Sequence, residues 1–207
     1  MPLEEALIVN DPAYRRRLML SMLTEEPDAY LAQLQAAKLN DDVEVAHYAA
    51  TAVAQISKES DLKLQQLERA FKTDPSAQNL NEYCDFLGEY LGSGLAEGRV
   101  AQIQRQQYAR LLARRCERED TFKLRIRYAT ALADVGQIDE AQAVTDQLVL
   151  DVPEEQEVWM LCLRLAVMRR DGDEVHRVID AIDKQHVYLS ADNREKLAFW
   201  RDGEEAG

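Results

Sequence analysis

Gly136-Gln137-Ile138-Asp139-Glu140-Ala141 sits at the centre of residues 122–153 and separates two apolar stripes of helical spacing. Upstream stand Tyr128 and Leu132, and downstream Leu148, with Pro153 closing the stretch. The spacing predicts two short amphipathic helices, 122–135 and 137–150, joined by a tight turn at the glycine. Outward from this pair the same pattern continues. Helices are expected over 155–170, 173–184 and 191–201 on one side. On the other they are expected over 95–117, 77–91, 43–72 and 29–39, with a first one opened by Asp11-Pro12 and carrying Tyr14, Leu18, Met19, Met22 and Leu23. The breaks between them are Glu26-Pro27-Asp28, Asn40-Asp41-Asp42, Thr73-Asp74-Pro75-Ser76, Gly92-Ser93-Gly94 and Glu119-Asp120-Thr121. The helix over 29–39 is expected to turn Tyr30, Leu31, Leu34 and Leu39 to one side. In that over 95–117, Val100, Ile103, Gln107 and Leu111 share a face.

Composition agrees with this reading. The 207 residues include only 8 Gly and 5 Pro, too few for a strand-and-turn fold of this length. No segment alternates apolar and polar residues for long enough to make a strand. The chain is therefore read as all-α, an array of short amphipathic helices that bury their faces pairwise. The net charge of −13 argues against a general nucleic-acid binder. No run of apolar residues is long enough to span a membrane, and Met1 to Asn10 lacks the form of a signal peptide. The three cysteines, Cys84, Cys116 and Cys162, lie far apart among apolar or helical neighbours and read as free thiols in a reducing compartment.

Residues 122–153 resemble a tetratricopeptide repeat (TPR), a unit of 34 residues. In that family's frame, Ala129 is the small residue that lets the first helix approach its partner. Gly136 ends that helix, Ala141 lets the second pack close, and Pro153 closes the unit. The family's usual Trp and Gly of the first helix are replaced by Arg125 and Ala129. Ala70 and Pro75 read like the end of another unit. Gly172-Asp173 reads as the next turn, 36 residues after Gly136, although no Ala follows it at the expected distance. Asn40 to Val45, followed by Tyr48-Ala49-Ala50-Thr51-Ala52-Val53, resembles the second helix of a HEAT-type repeat. Both resemblances imply a right-handed superhelix of antiparallel helix pairs with a concave surface. The expected organisation is a HEAT-like part over 1–74, TPR-like repeats over 75–202 and a disordered tail over 203–207.

A narrower resemblance rests on Glu4 to Pro12, on Arg15-Arg16-Arg17 and on Asn40 to Val45. These stretches are similar to the cytoplasmic region of the PelE family, TPR-containing inner-membrane proteins of bacterial Pel exopolysaccharide systems. That resemblance implies a cytoplasmic scaffold tethered to the inner membrane. Its partners would be a membrane-bound cyclic-di-GMP receptor, a glycosyltransferase or a transporter subunit of the synthase complex. Arg15, Arg16 and Arg17 would then form a membrane-proximal basic cluster, in keeping with the positive-inside rule.

Motifs for catalysis are missing. His47, His176 and His186 form no metal-ligand spacing, and His47, beside an apolar stripe, reads as a partly buried histidine. Asp41, Asp42 and Glu44 lack the glycine and the oxygen spacing of a calcium loop and read as helix caps. Gly92-Ser93-Gly94 has no following Lys to make a phosphate loop. No cofactor and no metal is expected.

Charge placement carries more. Residues 99–127 hold nine bases and three acids, whereas residues 134–160 hold eight acids and no base. Arg110, Arg114 and Arg118 recur every four residues and would lie along one helix face. Solvated surface is the plain reading of such a stripe. The functional one is a docking surface in which Arg105, Arg110, Arg114, Arg118 and Arg125 supply charge and Tyr108 and Tyr128 supply aromatic anchors. The expected function is a non-catalytic protein-interaction scaffold. The alternatives are a small-molecule sensor with a pocket between helices and an enzyme with a scattered acid and histidine site.

Overall fold

The structure, a computed structural model, describes residues 31–202. The expected first helix, the triplet Arg15-Arg16-Arg17, the break at Glu26-Pro27-Asp28 and the tail after 202 lie outside the described residues. Every regular element among the described residues is an α-helix. The chain divides after Gly98 into two compact units.

The first unit contains α1 (Leu31–Ala37), α2 (Val43–Thr73) and α3 (Ala77–Gly92). Asp42 starts α2 by accepting the Glu44 and Val45 N–H groups on its carboxylate, the capping role expected for this acidic stretch. The first half of α2 buries Val45, Ala49, Ala52 and Ile56 against Leu34 and Ala37 of α1. Its second half turns to α3, where the Phe71 and Tyr83 rings lie 6.3 Å apart. One 31-residue helix therefore serves two partners in succession. Two expectations are corrected here. α1 stops at Ala37, where the Leu39 and Asn40 N–H groups turn to the carbonyls three residues back; the Asn40 carboxamide then accepts the Asp42 N–H at 3.0 Å, and Leu39 is 89% exposed instead of in the apolar face. His47 is exposed beside the Tyr48 ring.

Within this unit the Tyr90 hydroxyl donates to the Asp61 carboxylate at 2.7 Å. Burial, helped by that acceptor and its charge, pushes the Tyr90 phenol up to about 12 from 10.0. The folded state thus holds the proton longer than the unfolded chain does. Its contribution is intact below pH 10 and is lost as pH rises from 10 towards 12. Alkaline denaturation curves should therefore be less steep for Tyr90→Phe than for the parent across that window.

The second unit contains α4 (Gly98–Cys116), α5 (Phe122–Asp134), α6 (Ile138–Asp151), α7 (Gln156–Arg169), α8 (Gly172–Lys184) and α9 (Ala191–Asp202). α4 begins later than the expected residue 95. Leu95 is held against the α1–α2 core, and its N–H donates to the Ser93 hydroxyl, so the helix opens only at Gly98, whose φ is +57°.

From α5 onwards the 34-residue period is visible in the elements themselves. α5 and α7 begin at Phe122 and Gln156, and α6 and α8 at Ile138 and Gly172. α5 packs on α6 and also on α7, and α7 on both α6 and α8, so each unit leans on the next. Ala129, Leu132 and Ala133 of α5, Ala141 of α6 and Leu161 and Leu165 of α7 share one buried cluster. Ala141 is fully buried there, which is why a side chain this small is required.

The turns correct the expected register. After α5, the Gly136 N–H bonds to the Ala133 carbonyl and the Gln137 N–H to the Leu132 carbonyl, with Gly136 at φ +80°. This is a Schellman motif with glycine in the left-handed position. After α7 the same pair of bonds runs from Arg170 to Val167 and from Asp171 to Ala166, with Arg170 at φ +57°. The counterpart of Gly136 is thus Arg170, not Gly172. Gly172 is the first residue of α8, and Asp171 caps it by accepting the Glu174 N–H at 2.9 Å. Val175, buried on α8, stands where Ala141 stands on α6.

A pair of substitutions checks this register. A Cβ at Gly136 would meet no atom within 4 Å, so Gly136→Ala tests the backbone conformation alone. It should destabilise by about 1 kcal/mol, and Arg170→Gly should stabilise by about 0.5–1 kcal/mol. Thermal or urea denaturation of the two variants reads both signs.

α9 starts 35 residues after α7 and takes the place of a further first helix. The Gln156 side-chain oxygen accepts the Ser190 N–H at 2.8 Å and the Asn193 amide at 3.0 Å, tying the start of α9 to the start of α7.

Candidate docking groove

The groove on the second unit is built by α4, α5 and the turn into α6. α4 turns Ala101, Ala109, Leu111 and Leu112 inward and presents Gln106 and Arg110 on its outer side. α5 contributes Tyr128, Leu132 and Val135, and the start of α6 contributes Gln137 and Glu140. Between them lies an open depression of about 390 Å³. Its floor is small and apolar, with Ala109, Ala113 and Leu132, and its rim is polar. Tyr128 is half-buried in the wall. Burial pushes its phenol above 10.0, and the nearby Glu140 charge adds to this, so it stays a neutral hydrogen-bonding group. Gln137 donates its side-chain amide to Glu140 at 3.0 Å.

Of the residues expected to dock a partner, the fold brings Arg110 and Tyr128 together on this groove. The others are placed elsewhere. Arg105 and Arg114 are exposed on α4. Arg118 lies past the end of α4, in the turn where its N–H bonds to the Arg115 carbonyl, so the expected stripe of three arginines on one helix holds only for Arg110 and Arg114. Arg125 is engaged within the chain, donating a hydrogen bond to Asp151 at 2.7 Å and lying in an ion pair with Asp120 at 3.2 Å. Tyr108 accepts hydrogen bonds from the Arg127 guanidinium at 2.9 and 3.2 Å, and that guanidinium also lies 5.9 Å from its ring centre.

Two aspartates of the acidic run pair with α7 and not with α4. Asp134 pairs with Arg164, and Asp139 with Arg169 at 2.7 Å, both on α7. These partners lie 30 residues from the acids, one repeat along, so the pairs staple α5 and α6 to α7. Gln106, Gln137 and Glu140 were not among the residues expected to dock a partner. The four-residue step from Gln106 to Arg110 was the one available signal for the first of them.

The thiols are ordinary. Cys84 and Cys162 are buried, and Cys116 is half-buried. Burial, aided by the Asp146 and Glu174 charges, pushes the Cys162 thiol up to about 12. Its reactive thiolate is correspondingly scarce at neutral pH. Thiol labelling of the folded protein should be fastest at Cys116 and slow at Cys162 until the chain is denatured. Among the described residues no three or more His, Cys, Asp and Glu side chains are grouped to hold a metal ion, and no helix is long and apolar enough to cross a membrane.

No family model matches this chain, and no curated protein matches it. Two solved structures are similar to it. One is "MamA MSR-1 C2", with a TM-score of 0.50 and 18% identity over 83% of this chain and 94% of that one. The other is "MamA AMB-1 P212121", with a TM-score of 0.48 and 19% identity over 88% of this chain and 95% of that one. The fold is an all-α, TPR-like helical repeat. MamA is a TPR-repeat protein, and the first likeness agrees with the 34-residue step seen from α5 to α8.

Proposed function

We propose that this chain is a non-catalytic scaffold that binds a protein partner. The observation that carries the reading is the repeat stack itself, in which helices of 13 or 14 residues recur in register and leave side chains of successive helices on an open groove. Such arrays offer extended concave surface to other chains. In this reading residues 1–74 form the HEAT-like part and 75–202 the TPR-like repeats. Arg105, Arg110, Arg114, Arg118 and Arg125, with Tyr108 and Tyr128, are the candidate contact set. Arg110 and Tyr128 rank first because the groove unites them.

The finer proposal is a place in a bacterial inner-membrane complex for exopolysaccharide synthesis and secretion, with the chain on the cytoplasmic side. Its support is the likeness of the quoted N-terminal stretches to the PelE family. Proximity labelling in the native cell tests this. Enrichment of a cyclic-di-GMP receptor, a glycosyltransferase or a transporter subunit is the expected result. Enrichment of unrelated proteins would remove the exopolysaccharide assignment while leaving the scaffold.

A further inference from the structure

α4 differs from every other helix described. Its 19 residues carry five arginines and no acid, in a chain whose net charge is −13. Arg99, Ile103, Gln106 and Arg110 follow at steps of four, three and four residues, which puts them along one face. All four are exposed, and Val100 beside them is as open as Ile103, both at 56%. The lower end of this face runs into the groove, where Gln106 and Arg110 form part of the rim.

Two features of this face call for a partner. Arg99, Arg105 and Arg110 make no ion pair among the described residues, and Asp134 and Asp139 of the acidic stretch pair with Arg164 and Arg169 instead. Exposed guanidinium groups without an internal carboxylate are open to one brought by a partner. Two exposed aliphatic side chains at the centre of a basic face add an apolar anchor to the charge.

We propose that this face of α4, with the adjoining groove, docks an acidic amphipathic helix of a partner protein. The partner's aliphatic residues would cover Val100 and Ile103, and its carboxylates would meet Arg99 and Arg110. The inference rests on the scaffold reading and narrows its partner. Nucleic acid is the poorer occupant, because the field of the whole chain is negative and the aromatic ring on α4, Tyr108, is bonded to Arg127 instead of being open for stacking.

The test is binding of a fluorescent helical peptide of about 15 residues, with glutamates flanking a leucine pair. Its controls are the same peptide with glutamines for glutamates, a single-stranded oligonucleotide and phosphatidylglycerol vesicles. The variants are Arg99→Glu with Arg110→Glu, Ile103→Ser, and Arg177→Glu on α8 as a charge control remote in sequence. The expected result is peptide binding that weakens with salt and falls about tenfold or more in the double reversal. It should also fall in Ile103→Ser and hold in Arg177→Glu, with helicity and melting of the variants unchanged. Three results would overturn the proposal: no binding of the acidic peptide, an equal loss in Arg177→Glu, or preference for the oligonucleotide or the vesicles. A native partner retained equally by the parent and the double variant would also overturn it, yet leave the scaffold reading standing. A protein that has no partner in either form loses both.

Discussion

Leu165→Ala should destabilise the second unit by about 2–5 kcal/mol in urea denaturation. Leu165 is fully buried on α7 and shares a cluster with Ala129, Leu132 and Ala133 of α5 and with Ala141 of α6. Its removal leaves a cavity where three helices meet, and rigid neighbours on all sides restrict collapse. Val167→Ala on the same helix, at a half-buried position, should cost clearly less. A loss of stability at Leu165 no greater than at Val167 would mean that α7 does not lean on the preceding pair, and the repeat stack would fall with it.

The second large effect is expected at Ala141. A tryptophan there has no free space to enter, because the existing methyl group is already fully buried in the cluster shared by α5, α6 and α7. Overpacking of this kind costs about 1–3 kcal/mol. The neighbouring Ala143 is exposed on the same helix, so Ala143→Trp supplies the comparison and should leave melting nearly unchanged. Thermal melts of the two variants separate packing from helix propensity. Equal melting for both would show that the face of α6 is wrongly assigned.

The central pair was legible because its sequence carries the small residues that its geometry needs. Gly136 occupies a left-handed position, and Ala129 and Ala141 stand at the helix contact. The next unit keeps the geometry and changes the residues. Leu163 replaces Ala129, Arg170 replaces Gly136 and Val175 replaces Ala141, all at a step of 34, and the buried positions repeat where the identities do not. Gly172 mimics the turn glycine two residues past the true left-handed position at Arg170. An arginine at φ +57° gives no warning in sequence, since the strain is tolerated locally and is not encoded as a glycine.

The site was less legible than the fold. Helical spacing correctly put Arg110 and Arg114 on one helix, but it could not tell that α4 ends at Cys116, before Arg118. Nor could it tell which charges were already used. Asp134 and Asp139 lie nearer in sequence to Arg110 and Arg114 of α4 than to their partners Arg164 and Arg169, yet the repeat folds them onto α7. Val100 and Ile103 have the spacing of core residues, and only the packed structure leaves them at the surface.

The central claim is that the chain works by holding another protein. Chemical crosslinking of the tagged protein in its native cell, followed by denaturing purification and quantification of what remains attached, tests that claim most directly. The account predicts one or more proteins crosslinked in amounts comparable to the bait, through residues of the second unit. Recovery of the bait alone, together with a melting temperature raised by a small molecule, would contradict it and make the chain a ligand sensor.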